Sequence, residues 1–128
     1  MLFRSEIAKE IVDAAYQTHV SLGPGLLETV YEEVMHHILT EKGYDVKRQV
    51  SVPIFFEDKK LEKGFIADLI INDKVIIELK SVEELKKVHH KQLLTYLRLT
   101  DMKLGLLINF NENLIKDGIK RIANNLEN

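Results

Sequence analysis

The segment Leu104-Gly105-Leu106-Leu107-Ile108-Asn109 most restricts what this chain can fold into. It reads as a short apolar strand with no polar face to turn toward water. Alternate side chains of a strand point to opposite faces of a sheet, so this one is buried on both. Other elements must then cover the sheet above and below.

Helical spacing of Ile7, Ile11, Ala14 and Ala15 predicts a helix over residues 5–20, with Ser5 as its N-cap. Gly23-Pro24-Gly25 breaks the chain. A second helix is predicted over residues 26–42, where Leu27, Val30, Tyr31, Val34, Met35, Ile38 and Leu39 form one broad stripe and Gly43 is the C-cap. The period then changes. Residues 46–56 read as a strand, with Pro53 marking an edge or a bulge. Glu57-Asp58-Lys59-Lys60 is a polar turn, residues 61–71 a second strand, Asn72-Asp73 a second turn, and residues 75–80 a third strand. A third helix is predicted over residues 83–99, capped at or near Ser81. The tail, residues 114–128, carries Ile115, Ile119 and Ile122 at spacings that suit a strand or a helix.

The order α-α-β-β-β-α-β has three meandering strands and a helical crossover to a fourth. It predicts an α/β fold, a three-layer α/β/α sandwich around a mixed central sheet. A length of 128 residues suits one domain over residues 1–128.

Composition removes several classes of function. There is no Cys, which excludes disulfide scaffolds, thiolate metal sites, iron–sulfur clusters and Cys nucleophiles. Lys and Arg total 18 against 20 Asp and Glu, so the chain does not hold nucleic acid by bulk charge alone. No apolar run is long enough for a membrane span, and the opening MLFRSEIAKE has no secretory h-region. A cytoplasmic protein with no membrane partner is the expectation. P-loop, dinucleotide and Ser-hydrolase motifs are absent.

Polar residues interrupt the apolar pattern in three places. The first is the strand pair, where Asp68 lies inside Phe65-Ile66-Ala67-Asp68-Leu69-Ile70-Ile71 and Glu78 inside Val75-Ile76-Ile77-Glu78-Leu79-Lys80. Glu78 and Lys80 share a face. If Ile70 pairs with Ile76, Asp68 lies opposite Glu78; a tight two-residue turn would instead set Asp68 opposite Ile77. The first register needs a longer loop or a bulge. Adjacent carboxylates repel unless a proton or a cation lies between them, and oxygen ligands with open water positions suit Mg²⁺ or Mn²⁺. Lys80 would then orient a water and offset charge on a phosphate. An ordinary carboxylate–lysine pair at a sheet end explains the same residues without chemistry.

The second place is Glu28, on the flank of the second helix's stripe, where it is either partly buried with a partner or a favourable charge at the helix N-terminus. Glu32 and Glu33 lie further round and read as solvated. The third is the third helix, whose stripe of Leu85, Val88, Leu93, Tyr96 and Leu99 has His89 and Gln92 near its centre. Each is either a hydrogen-bonded structural group or part of a site.

Gly25-Leu-Leu-Glu28-Thr-Val-Tyr31 resembles the signature of the GxxExxY protein family. Asp68, Glu78-Leu79-Lys80 and Gln92-Leu-Leu-Thr-Tyr96 resemble the motifs of the PD-(D/E)XK nuclease superfamily, the last being similar to the QxxxY element of its RecB-like, Cas4-like and lambda-exonuclease-like branches. Ala67 stands where the pattern often has Pro. The resemblance implies a restriction-endonuclease-like α-β-β-β-α-β core and a metal-dependent nuclease acting on DNA, or on RNA. It implies Mg²⁺ or Mn²⁺ held by Asp68, Glu78, the Leu79 carbonyl and Glu28, with Lys80 as the catalytic lysine. Tyr31, His89, Gln92 and Tyr96 would support the site or contact nucleic acid. A homodimer is compatible with this reading. The rivals are a nucleic-acid-binding module with little catalysis and a protein-interaction module, each keeping the fold.

Overall fold

The computed structural model describes residues 3–125. Its elements are α1 (Arg4–Leu22), α2 (Glu28–Glu41), β1 (Val46–Val52), β2 (Phe55–Phe56), β3 (Lys59–Lys60), β4 (Phe65–Ile71), β5 (Val75–Lys80), α3 (Lys87–Thr100), β6 (Leu104–Asn109), a 3-10 turn (Ile115–Gly118) and β7 (Ile119–Ala123). Five strands form one mixed sheet in the order β1-β4-β5-β6-β7, and only β5 and β6 run parallel. The architecture is the expected sandwich, consistent with a restriction-endonuclease-like fold. Among the described residues no helix is long and apolar enough to cross a membrane.

Two cores hold the sheet from opposite sides. Ile7, Ile11, Tyr31, Met35 and Leu39 of α1 and α2 pack on Leu69, Ile77, Leu79, Leu106 and Ile108. Leu93 and Leu97 of α3 pack on Ile70, Ile76, Leu107 and Ile122. Every residue of β6 is buried, as its sequence requires. Gly105 lets α3 approach, since a Cβ there would lie 3.1 Å from the Leu93 side chain.

Several boundaries differ from expectation, each for a local reason. Pro53 ends the first expected strand; β2 and β3 form a separate small hairpin beyond it, turned by Glu57 and Asp58 at φ 48° and 65°. Helix α1 starts on Phe3 rather than Ser5, because the Glu6 carboxylate accepts the Phe3 N–H at 3.4 Å. Gly43 lies one residue past the C-cap Lys42 and donates to the Thr40 carbonyl at 2.9 Å.

Helix α3 starts at Lys87 and not near Glu83. Asn109 clamps the intervening loop, accepting the Val82 N–H at 3.0 Å and donating to the Val82 carbonyl at 2.9 Å. The stripe of α3 is also rotated from the expected one: Val88 and Leu99 are exposed, and Leu93 and Leu97 are buried. The described part of the tail resolves into the 3-10 turn and β7, antiparallel to β6; residues 126–128 lie outside the described residues.

The side-chain alternation of two neighbouring strands reverses at one level. In β4, Leu69 and Ile71 face α1 and α2, whereas Phe65 and Ala67 face α3. In β1, Val46 joins the first core and Val50 and Val52 the second. All six β1–β4 pairs follow one register, which leaves Gln49 and Asp68 facing each other at the reversal. Gln49 there has φ 47°.

Candidate active site

The hairpin joining β4 and β5 decides whether the two carboxylates meet. Asn72 and Asp73 have φ 52° and 54°, and the Lys74 N–H donates to the Ile71 carbonyl at 2.9 Å, giving a type I′ turn. The strands nevertheless pair Ile71 with Val75, Ile70 with Ile76 and Leu69 with Ile77, so Lys74 is an extra residue on one side. That single insertion selects the register in which Asp68 lies opposite Glu78. The turn is tied down through Asn72, whose Oδ1 accepts the Asp45 N–H at 2.8 Å and whose N–H donates to the Asp45 carbonyl at 2.8 Å.

Beyond Leu69, carboxylates replace the backbone ladder. Asp68 Oδ2 accepts the Leu79 N–H at 2.8 Å, and the Asp68 N–H donates to Glu78 Oε2 at 3.3 Å. Glu78 is 7% exposed. Its carboxyl is pushed up to about 9, first by burial and then by a hydrogen bond to Asp68 and that residue's charge; the Asp68 N–H and Lys80 pull the other way. The pair therefore retains a proton at neutral pH. Lys80 is half-buried, two residues further along the same face.

Helix α3 brings a second group to this face. Tyr96 stacks on Phe65 with ring centroids 3.8 Å apart and planes 2° apart. Burial raises the Tyr96 hydroxyl above its ordinary range, and the charges of Glu78 and Asp68 add to this; a hydrogen bond with Gln92 opposes them. Gln92 itself is exposed, contrary to the buried position expected for it. His89 is half-buried, and its Nδ1 accepts the Lys86 N–H at 3.0 Å, which closes the first turn of α3.

Glu28 and Tyr31 make their hydrogen bonds past the end of β5 and in the α1–α2 loop. Glu28 is exposed, and its Oε2 accepts the Ser81 N–H at 3.1 Å, just past the end of β5. Ser81 Oγ donates to the Leu26 carbonyl at 2.7 Å. The Tyr31 hydroxyl donates to the Gly23 carbonyl at 2.6 Å and accepts the Leu26 N–H at 3.0 Å, while its ring stacks on Phe110 at 4.3 Å. Gly25, at φ 92°, makes the sharp bend between these anchors. The Gly25-x-x-Glu28-x-x-Tyr31 segment is thus a brace between the α1–α2 loop and the end of β5. Tyr31 is fully buried, so it supports the loop and is closed to direct contact with a nucleic acid.

Glu32, expected in solvent, is 5% exposed. Arg48 Nε and a terminal guanidinium nitrogen each lie 3.1 Å from its Oε2, and Gln49 Nε2 donates to its Oε1. The same Gln49 nitrogen donates to Asp68 Oδ1 at 3.3 Å. Sequence spacing does not reveal this chain of contacts, because it depends on the left-handed backbone at Gln49.

Among the described residues no three His, Asp or Glu side chains converge as a ready set for an ion. The chemistry of Asp68 and Glu78 nonetheless fits a hard divalent cation. Glu78 is buried and its carboxyl is pushed up beside the half-buried Asp68, and a divalent cation would relieve the repulsion that a proton otherwise offsets.

Comparison with known proteins accords with this geometry. The likeness to the solved structure of SSO0001 is one of fold: 21% sequence identity, 98% of this chain and 81% of that chain covered, TM-score 0.50. No curated protein gave a match. A family model described as the PD-(D/E)XK nuclease superfamily matches residues 5–122, a span that holds both strands of the carboxylate pair, Lys80 and all of α3. The chain belongs to the PD-(D/E)XK nuclease superfamily.

Proposed function

We propose that this protein is a metal-dependent nuclease that hydrolyses phosphodiester bonds in DNA. Members of the superfamily are usually nucleases, generally use divalent metal ions and take nucleic acid as substrate. The observation that carries the reading is the meeting of Asp68 and Glu78 from antiparallel strands, with Lys80 on the same face.

Asp68, Glu78 and the Leu79 carbonyl would hold Mg²⁺ or Mn²⁺, with Glu28 joining from the start of α2 by leaving Ser81. A divalent ion bound there supplies electrostatic stabilisation of the charge that builds on the phosphate oxygens. Leu79 N–H and Gln49 Nε2 fix the Asp68 carboxylate, so its remaining lone pairs have a set direction. The Lys80 ammonium donates a hydrogen bond to the attacking water and holds it in line with the scissile phosphorus. The new P–O bond forms as the opposite P–O bond breaks. Gln92, exposed on α3 and bonded to Tyr96, is placed to donate to a phosphate, and His89 lies one turn earlier. Lys86, Lys87 and Lys91 at the start of α3 supply local positive charge that the chain as a whole lacks.

The test is cleavage of labelled single-stranded, duplex and branched DNA, and of RNA, with Mg²⁺ or Mn²⁺. The wild type is expected to cut DNA and to stop on chelation. Glu78→Ala and Lys80→Ala are expected to lose at least ~10²-fold in rate. Equal metal-dependent cutting by the purified variants refutes the assignment. Affinity for DNA without metal-dependent cutting by the wild type favours the binding-module reading.

A further inference from the structure

Gln49 combines three features. It has a left-handed backbone, φ 47°, which costs a non-glycine residue about 1–2 kcal/mol. It lies at the level where β1 and β4 reverse their faces, opposite Asp68. Its amide nitrogen contacts two carboxylates, Glu32 Oε1 and Asp68 Oδ1. An observed backbone strain beside reactive groups points toward function. The amide suits the place, because its –NH₂ has two donors and no charge. A carboxylate there would repel both neighbours, and a hydrocarbon would leave Glu32 Oε1 unmatched.

Glu32 is the fixed end of this arrangement. It is held in the second turn of α2, is 5% exposed, and is paired with Arg48 through two nitrogens. Arg48 keeps 38% of its side chain exposed, so the pair holds the buried Glu32 carboxylate in place without taking both charges out of water. Asp68 is the working end. Its Oδ2 is already set by the Leu79 N–H, and Gln49 sets Oδ1. Both carboxylate oxygens are thus hydrogen-bonded, one to the backbone and one to Gln49.

We propose that Glu32, Arg48 and Gln49 form a positioning relay that fixes the Asp68 carboxylate for cation binding, so that α2 and the edge strand β1 control the site from behind. The proposal rests on the nuclease reading for the role of Asp68. These three residues act through Asp68 and are positioning residues.

The test uses the full chain and Mn²⁺ alone as probe, with free Mn²⁺ counted by electron paramagnetic resonance. Gln49→Met keeps length and removes both donors. It is expected to weaken Mn²⁺ binding by roughly 10–100-fold, as loss of a group that orients a metal ligand does, with the thermal midpoint lowered by the unmatched Glu32 oxygen but the chain still folded. Glu32→Gln keeps shape and removes the anchoring charge; it should weaken Mn²⁺ in the same direction and keeps the test available if Gln49→Met does not fold. The double variant should be no weaker than the worse single one, because both cut the same chain of contacts. In cleavage assays kcat should fall while KM for DNA stays within about twofold. Mn²⁺ affinity within twofold of wild type in a folded variant, or additive losses in the double variant, overturns the relay. Asp68→Asn is the control for the underlying reading: if it keeps wild-type Mn²⁺ affinity, the site assignment itself fails, whatever Gln49 does.

Discussion

Replacing Glu78 by Gln should make the metal-free protein more stable and the enzyme inactive. The Glu78 carboxyl ionises near 4.5 in the unfolded chain and is pushed up to about 9 in the fold. Between those values the folded state binds a proton that the unfolded state does not, so stability falls as pH rises, by ~1.4 kcal/mol per pH unit. At pH 7 the accumulated loss is about 3 kcal/mol relative to pH 4.5. Gln removes that dependence. Its amide donates to Asp68 where the proton did, and its oxygen still accepts the Asp68 N–H. Metal-free Glu78→Gln should therefore match the wild type near pH 4.5 and exceed it by about 3 kcal/mol at pH 7, roughly 10 °C in midpoint for a chain of this size.

Thermal denaturation by circular dichroism, from pH 4.5 to 9 and with chelator present, measures this directly. Repeating the series with excess Mn²⁺ adds an independent check. The cation should raise the wild-type midpoint increasingly toward high pH, where it no longer competes with the proton, and should do little for the variant. Parallel pH curves for the two proteins, or equal stabilisation by Mn²⁺, would refute the idea that a shared proton occupies the cation's place.

Deleting Lys74 leaves the two-residue turn closing directly on the Ile71–Val75 pair, so Asp68 stays opposite Glu78 and Mn²⁺ binding measured by calorimetry should survive; its loss would refute this register. Tyr31→Phe keeps the stack on Phe110 and loses two hydrogen bonds; urea unfolding should show a loss of about 1–3 kcal/mol, with KM for DNA unchanged. Asn109→Ala should release the Val82 loop, costing about 2 kcal/mol and speeding amide exchange at Val82 and Asn111, whose N–H groups it accepts.

The order of the layers was legible from hydrophobic period alone, because β6 has no polar side and the helices have one apolar stripe each. The carboxylate pair was legible as a conditional: one extra residue in the hairpin would join Asp68 to Glu78, and Lys74 is that residue. Three things were not legible. Tertiary contacts set the start of α3, since Asn109 occupies the Val82 backbone groups that an earlier first turn would need. The strand split at Pro53 hid a small hairpin whose two-residue strands are too short to show a period. Glu32 was misread because its angle on α2 points away from the stripe, and the groups that bury it come from Arg48 and an irregular Gln49. A pattern of period two carries no signal for a residue that breaks that period.

The reversal of β1 and β4 divides the labour along the chain. Asp68 and Gln49 sit at the crossover itself, in paired strands anchored by both cores. The β2–β3 hairpin, with Phe55 and Phe56 exposed, lies beyond the far end of β1, where Ile54 packs on the second core at its base. Under the proposed function, insertions or swaps in that appendage should alter which substrates are bound while Asp68, Glu78 and Lys80 stay where they are. Diversification among related chains should accordingly concentrate between Pro53 and Gly64 and spare the strands that flank it.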